Sequence, residues 1–139
     1  VIALAGRNEA LLEKLNGQAK KFPGRLLALP FTNSIERVMA CSDITATKPG
    51  GLTTSECLAV GLPMIVVSPI PGQEERNSDY LLENGAAMKA VDAASIAYRI
   101  KKLIAQPSLM QSLRKSARSL GRPKAAQEIL KTVLGYAPR

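Results

Sequence analysis

Through the first 90 positions, short unbroken apolar runs alternate with stretches in which apolar residues recur every three or four positions. Val1–Ala5, Leu26–Leu29, Ile44–Thr47, Met64–Val67 and Ala86–Lys89 are the runs, each of strand length. Between the first two, Glu9–Lys20 reads as a helix with Leu11, Leu12 and Leu15 on one face. Pro23-Gly24 breaks the chain before the second strand. Asn33 is placed to cap a helix running to about Cys41, with Glu36 three residues later to complete a capping box. The next helix spans Leu52 to Val60, stopped by Gly61 with Pro63 just beyond. Pro69-Ile70-Pro71-Gly72 reads as a loop, Glu74 to about Asn84 as a helix, and Gly85 as its end. Two or three further helices fill 93–136, separated near Pro107 and near Gly121-Arg122-Pro123.

Alternating strand and helix predicts an α/β fold, a Rossmann-like doubly wound parallel sheet. The strands lack period-2 alternation, which is expected of strands buried on both faces. Residues 1–91 would form the parallel α/β core and 92–139 a helical segment. The length of 139 residues suits one domain with a single core, and 46% apolar with 22% charged residues is globular composition. No apolar run approaches the roughly 18 residues of a membrane-spanning helix. Val1–Ala5 has no basic segment before it, so no signal peptide is visible and the chain reads as soluble. Cys41 and Cys57 stand alone among small and apolar neighbours, as buried reduced thiols of a cytosolic protein would. Histidine is absent, so an imidazole base must come from elsewhere.

Charge divides the chain. Residues 1–98 carry 9 Lys/Arg and 10 Asp/Glu, whereas 99–139 carry 10 Lys/Arg against Glu128 alone. The net +8 therefore belongs to the C-terminal segment. Such a segment can meet anionic lipid, present solvated helix faces, or match an acidic partner domain. Nucleic acid is disfavoured, because single-strand readers add aromatic stacking platforms and Tyr136 is the only aromatic residue in 99–139.

In open α/β sheets, ligands bind beyond the carboxyl ends of the strands, which singles out three segments. The first is Lys48-Pro49-Gly50-Gly51-Leu52-Thr53-Thr54-Ser55-Glu56. Gly50 and Gly51 let backbone amides approach a ligand without a Cβ in the way, and free N–H groups at the helix start favour an anion. Thr53 and Thr54 add hydroxyl donors. No G-x-x-x-x-G-K-[ST] run occurs, so this is not a Walker loop, and a Gly pair alone also serves as a plain turn. Glu56 can reach past phosphates to accept two ribose hydroxyl protons, or it can simply complement the helix dipole. The second segment, Pro69 to Asn77, offers Gln73, Glu74 and Asn77 at a helix start, suited either to sugar hydroxyls or to capping. The third, Pro30-Phe31-Thr32-Asn33, can set backbone groups and an apolar wall against a base, or place Phe31 in a core.

Together, Lys48–Glu56, Gly61-Leu62-Pro63 and Pro71-Gly72-Gln73-Glu74-Glu75-Arg76-Asn77 through Gly85-Ala86-Ala87 resemble the C-terminal domain of family 28 glycosyltransferases. The similarity is nearest to processive diacylglycerol glucosyltransferases and monogalactosyldiacylglycerol synthases, and covers about Val1 to Ala87. The lipid II-forming N-acetylglucosaminyltransferases are more distant. The resemblance implies a GT-B fold, two Rossmann-like domains with a cleft between them, of which the C-terminal one holds a UDP-sugar. By position, Phe31 and Thr32 would lie at the uracil, largely through backbone. Gly50, Gly51, Leu52 and Thr53 would cradle the diphosphate, Glu56 would hold the ribose, and Gln73 and Glu74 would read the sugar with Asn77 nearby. The family uses no essential metal, so no metal site and no cofactor is expected; the UDP-sugar is a substrate.

The implied activity moves a hexose from the UDP-sugar to a membrane lipid such as diacylglycerol. Relatives carry an N-terminal acceptor domain with the base, and a first strand with a Gly-rich loop before the position of Val1. This chain therefore resembles a fragment that begins near the second strand of the donor domain, with no catalytic residue of its own. Its expected partners are a UDP-sugar, the lipid acceptor through the missing domain, and an anionic membrane surface via 99–139. A missing strand would also leave an apolar edge or face that invites self-association. The expected location is cytoplasmic, peripheral at the inner face of the membrane. The alternatives are another GT-B enzyme, such as a polyprenyl-linked N-acetylglucosaminyltransferase or a UDP-sugar epimerase, and a non-catalytic nucleotide-binding module. Absence of His and the Pro71-Gly72-Gln73-Glu74 segment speak against the epimerase.

Overall fold

The computed structural model describes residues 1–135; the end of the last helical stretch expected to reach 136 lies outside the described residues. The elements fall into two compact units, Val1–Ile35 and the residues from Glu36 onward.

The first unit is a β-α-β turn of chain: β1 (Ile2–Gly6), α1 (Glu9–Lys21) and β2 (Leu27–Pro30). The strands pair in parallel, with Ile2 opposite Leu27 and Leu4 opposite Leu29, and the register slips so that Gly6 faces Pro30. Gly6 leaves the strand with φ +59°, the left-handed region that glycine adopts freely. Asn8 then caps α1, its Oδ1 accepting from the Leu11 N–H at 2.9 Å. Glu9 in the first turn and Lys20 and Lys21 in the last complement the helix dipole. The two-faced burial expected of every strand fails in this unit. Ile2, Leu4 and Leu27 share one sheet face by period and register, and they are 36%, 42% and 53% exposed. One helix can cover only one face of a two-stranded sheet.

The second unit contains α2 (Ile35–Ala40, reaching back to the last residue of the first), β3 (Thr45–Thr47), α3 (Gly51–Val60), β4 (Met64–Val67), α4 (Gln73–Glu83) and β5 (Ala87–Ala90). Then follow α5 (Ala93–Ala105), α6 (Pro107–Leu120) and α7 (Ala125–Leu134). The three strands form a parallel sheet in the order β3-β4-β5. Here the apolar run does mean burial on both sides. Ile65 packs with Ala90 of β5 and with Leu103 and Leu113 of the helical segment, while Met64 and Val66, on the opposite face by period, are equally buried. Leu103 and Leu113 make α5 and α6 part of this core despite their basic surfaces.

Two glycines fix how α6 meets α3. A Cβ on Gly121 would overlap the Leu58 carbonyl, and one on Gly61, where φ is +70°, would overlap the Arg118 side chain. Arg114 pairs with Asp43 at 3.2 Å, and Arg99 Nε donates to the Lys89 carbonyl at 3.2 Å. Asp92 caps α5, accepting from the Ser95 N–H at 2.7 Å, and its hydrogen bonds from Ser95 lower the carboxyl pKa.

Two local expectations need correction. The helix after Pro30 begins at Ile35, so Ser34 rather than Asn33 precedes it. The entry is held by Thr32, whose Oγ1 accepts from the Ser34 N–H at 3.0 Å, a local hydroxyl turn that supplants the Asn33–Glu36 capping box. Cys41 is exposed, with its Sγ donating to the Val38 carbonyl at the end of α2. Cys57 is fully buried, and burial first, with the Glu56 charge second, pushes its thiol pKa up to about 12.

Candidate functional site

In each parallel sheet the carboxyl ends of the strands share an edge, and the three segments singled out by sequence leave from such ends. In the second unit these are the segments after β3 and β4.

The segment after β3 leads through buried Pro49 to Gly50, which sits just ahead of α3 with φ −62° and ψ 151°. Any residue adopts that backbone, so glycine is not required there for conformation. Its use is the open space: nothing lies within 4 Å of where a Cβ would stand. The Thr54 N–H closes the first helical turn on the Gly50 carbonyl at 2.8 Å. The N–H groups of Gly51, Leu52 and Thr53 therefore precede the intrahelical ladder and face outward from the helix start, where an anion is favoured. The Leu52 side chain is 82% exposed, so its share in such a site is its backbone amide. Thr53 is half-buried, whereas Thr54 is buried with no hydrogen-bond partner for its hydroxyl among the described residues. Glu56 lies in the next turn, exposed, and among the described residues its carboxylate has no hydrogen bond or ion pair.

The segment after β4 begins at Ser68, whose φ of +41° is unusual for a residue with a side chain. It ends at Gly72, with φ +102°, a conformation that does require glycine. Glu74 Oε2 accepts from the Ile70 N–H at 2.8 Å, and Glu75 Oε2 from the Gly72 N–H at 3.4 Å. Glu74 thus braces its own loop with one oxygen. Gln73 reaches across: a Cβ on Gly51 would stand 3.4 Å from Gln73 Nε2. Asn77 does so too, its Nδ2 donating to the Pro49 carbonyl at 2.8 Å. Gly50, Gly51, Gln73 and Asn77 are thereby gathered in one corner of the second unit, and Asn77 meets the backbone of the glycine loop.

In the first unit Phe31 follows β2, half exposed rather than buried in a core, and Thr32 is half-buried with its hydroxyl engaged by Ser34. Beside Phe31 stands Arg7, unmarked by the sequence patterns, with its guanidinium carbon 4.7 Å from the ring centroid. Ser68 was also silent in sequence.

Residues 2–120 match the family described as glycosyl transferases group 1. The chain belongs to this family. Among curated relatives of this group 1 glycosyltransferase domain, a processive diacylglycerol β-glucosyltransferase of Bacillus cereus (strain AH187) is 31% identical over 134 residues. That match covers 96% of this chain and 34% of the relative, so the chain spans about a third of the length of the curated relatives it matches. Among solved structures, Acinetobacter baumannii MurG superposes with a TM-score of 0.76 at 19% identity, over 97% of this chain and 41% of that one. Anabaena Alr3699/HepE in complex with UDP-glucose gives 0.66 at 18% identity, over 97% and 40%. These likenesses establish the Rossmann-like fold of one half of a GT-B protein for the group 1 domain.

Proposed function

We propose that this domain is the donor-binding part of a glycosyltransferase that moves a hexose from a UDP-sugar to a membrane lipid such as diacylglycerol. The observation that carries the reading is the corner of the second unit. There, outward-facing amides at the start of α3, the open Gly50 position and the Gln73 side chain converge under the Asn77 tie to Pro49. Such a corner suits a diphosphate carrying a polyhydroxylated group. Glu56, one turn further along α3, suits the ribose diol, and Gln73 with the remaining Glu74 oxygen suits sugar hydroxyls. In the first unit Phe31 and Thr32 suit the uracil.

In the transfer, an acceptor hydroxyl oxygen bonds to the anomeric carbon as the bond from that carbon to the β-phosphate oxygen breaks. The proton leaves to a base on the acceptor side of the reaction, and UDP departs with the extra negative charge. The α3 amides and helix dipole meet that charge with fixed dipoles, without a metal ion. The named activity of the Bacillus relative and the UDP-glucose in the Anabaena complex support the donor and acceptor assignments. We further assign the exposed basic side chains of α5 and α6, with Arg122 and Lys124 beyond them, to an anionic lipid surface.

The test is calorimetric titration of the whole protein with UDP, UDP-glucose and ADP, followed by transfer of labelled hexose to diacylglycerol with and without EDTA. Heat with UDP and UDP-glucose but none with ADP, and EDTA-insensitive transfer, are expected. A folded protein silent to UDP would sink the proposal.

A further inference from the structure

Arg7 and Phe31 are the first residues beyond the paired carboxyl ends of β1 and β2, because Gly6 faces Pro30 across the ladder. Arg7 follows Gly6, whose φ is left-handed, and its guanidinium carbon rests 4.7 Å from the Phe31 ring centroid. That distance is a cation–π contact. Phe31 remains half exposed and Arg7 is exposed, so the stack serves no core. Among the described residues no carbonyl or carboxylate accepts from Arg7. The aromatic face thus holds a long, flexible side chain in place while its planar edge of five N–H donors stays unused.

Resting on the donor-nucleotide reading above, we propose that Arg7, stacked on Phe31, donates to the exocyclic O4 of the pyrimidine and so selects uracil over cytosine. A guanidinium donates and never accepts. Uracil offers it a carbonyl oxygen at C4. Cytosine presents an amino group there, whose N–H would meet N–H with nothing to receive either. Where the bound base shuts water away from the Arg7 fork, a donor left facing another donor discriminates between near-isosteric ligands. The pair also explains why an aromatic residue is left half uncovered at this edge. Phe31 orients the arginine and, with its remaining surface, walls the base.

The test is calorimetry on the whole protein with UDP and CDP, for wild type, Arg7→Ala, Arg7→Lys and Phe31→Leu. The wild type should bind UDP at least about tenfold more tightly than CDP. Arg7→Ala should lower UDP affinity about tenfold while leaving CDP unchanged, collapsing the preference. Arg7→Lys, which keeps the charge but loses the fork, should resemble Arg7→Ala. Phe31→Leu should move the ratio in the same direction. Equal losses of UDP and CDP in Arg7→Ala with recovery in Arg7→Lys would overturn the proposal in favour of a phosphate contact, and an unchanged ratio would overturn it outright. A wild type that binds neither nucleotide would overturn the donor reading, and this proposal with it.

Discussion

The Asn77 amide of α4 donates to the Pro49 carbonyl at 2.8 Å, joining the loops after β3 and β4 across 28 residues of sequence. The bond is half-buried and fixes the peptide that leads into Gly50 and the free amides of α3. Asn77→Ala should cost about 1–2 kcal/mol of stability by denaturant unfolding and also weaken UDP binding. Asn77→Asp should be worse, since a carboxylate would face a carbonyl oxygen. A stability loss with unchanged UDP affinity would show that the tie does not position the loop.

Gly50 and Gly72 are glycines for different reasons, and their alanine variants should separate. Gly72 at φ +102° is strained by any side chain, so Gly72→Ala should lose about 1–3 kcal/mol in thermal or denaturant unfolding. Gly50 at φ −62° tolerates alanine conformationally, so Gly50→Ala should stay within about 0.5 kcal/mol of wild type. Its methyl group would instead occupy the open space before the α3 amides and reduce affinity for UDP. Equal destabilisation of the two variants would contradict this division.

Glu56→Gln should weaken UDP binding by about 1–3 kcal/mol, the range for a hydrogen bond to a charged group. The same substitution should matter much less for a UDP lacking the ribose 2′-hydroxyl. If both nucleotides lose affinity alike, the carboxylate has another role.

Cys57 links stability to alkaline pH. Its thiol ordinarily titrates at 9.0 and in the fold is pushed up to about 12, so the folded state holds the proton longer than the unfolded one. The stabilisation is complete below pH 9 and is lost as pH rises toward 12, at roughly 1.4 kcal/mol per unit. Between pH 9 and 10.5, wild type should lose stability faster than Cys57→Ala by about that slope. Parallel curves would refute the linkage. In the native state a thiol reagent should modify exposed Cys41 and leave Cys57 until unfolding.

If the basic faces of α5 and α6, with Arg122 and Lys124 beyond them, meet lipid, vesicles containing an anionic phospholipid should capture the protein at low salt and release it as ionic strength rises. Binding indifferent to salt, or equal on neutral vesicles, would remove that assignment.

Sequence announced the elements wherever the signal is local. Gly61 with Pro63 ends α3, and the run Met64–Val67 is β4 to the residue. It failed where a nearby competitor decides, as when the Thr32 hydroxyl turn takes the helix entry from Asn33. It failed again at β1 and β2, whose apolar runs do not record that a single helix covers them. For the candidate site, the loops and their glycines were legible because glycine and helix-start chemistry are written in adjacent residues. The contacts that organise them were not. Asn77 with Pro49, Gln73 with Gly51, and Arg7 with Phe31 are pairs made by the sheet register, and no spacing rule in one sequence encodes them.

The absence of room for a Cβ between Gly121 and the Leu58 carbonyl makes α3 a clamped rod. Its ten residues run about 15 Å, from the glycine-fitted joint with α6 to the loop that Asn77 holds. Held at both ends, the helix has little freedom to swing, so its terminal amides are aimed before any ligand arrives and binding need not order them. Loosening the far joint would therefore be felt as lost affinity at the near end, with every residue that touches the ligand unchanged.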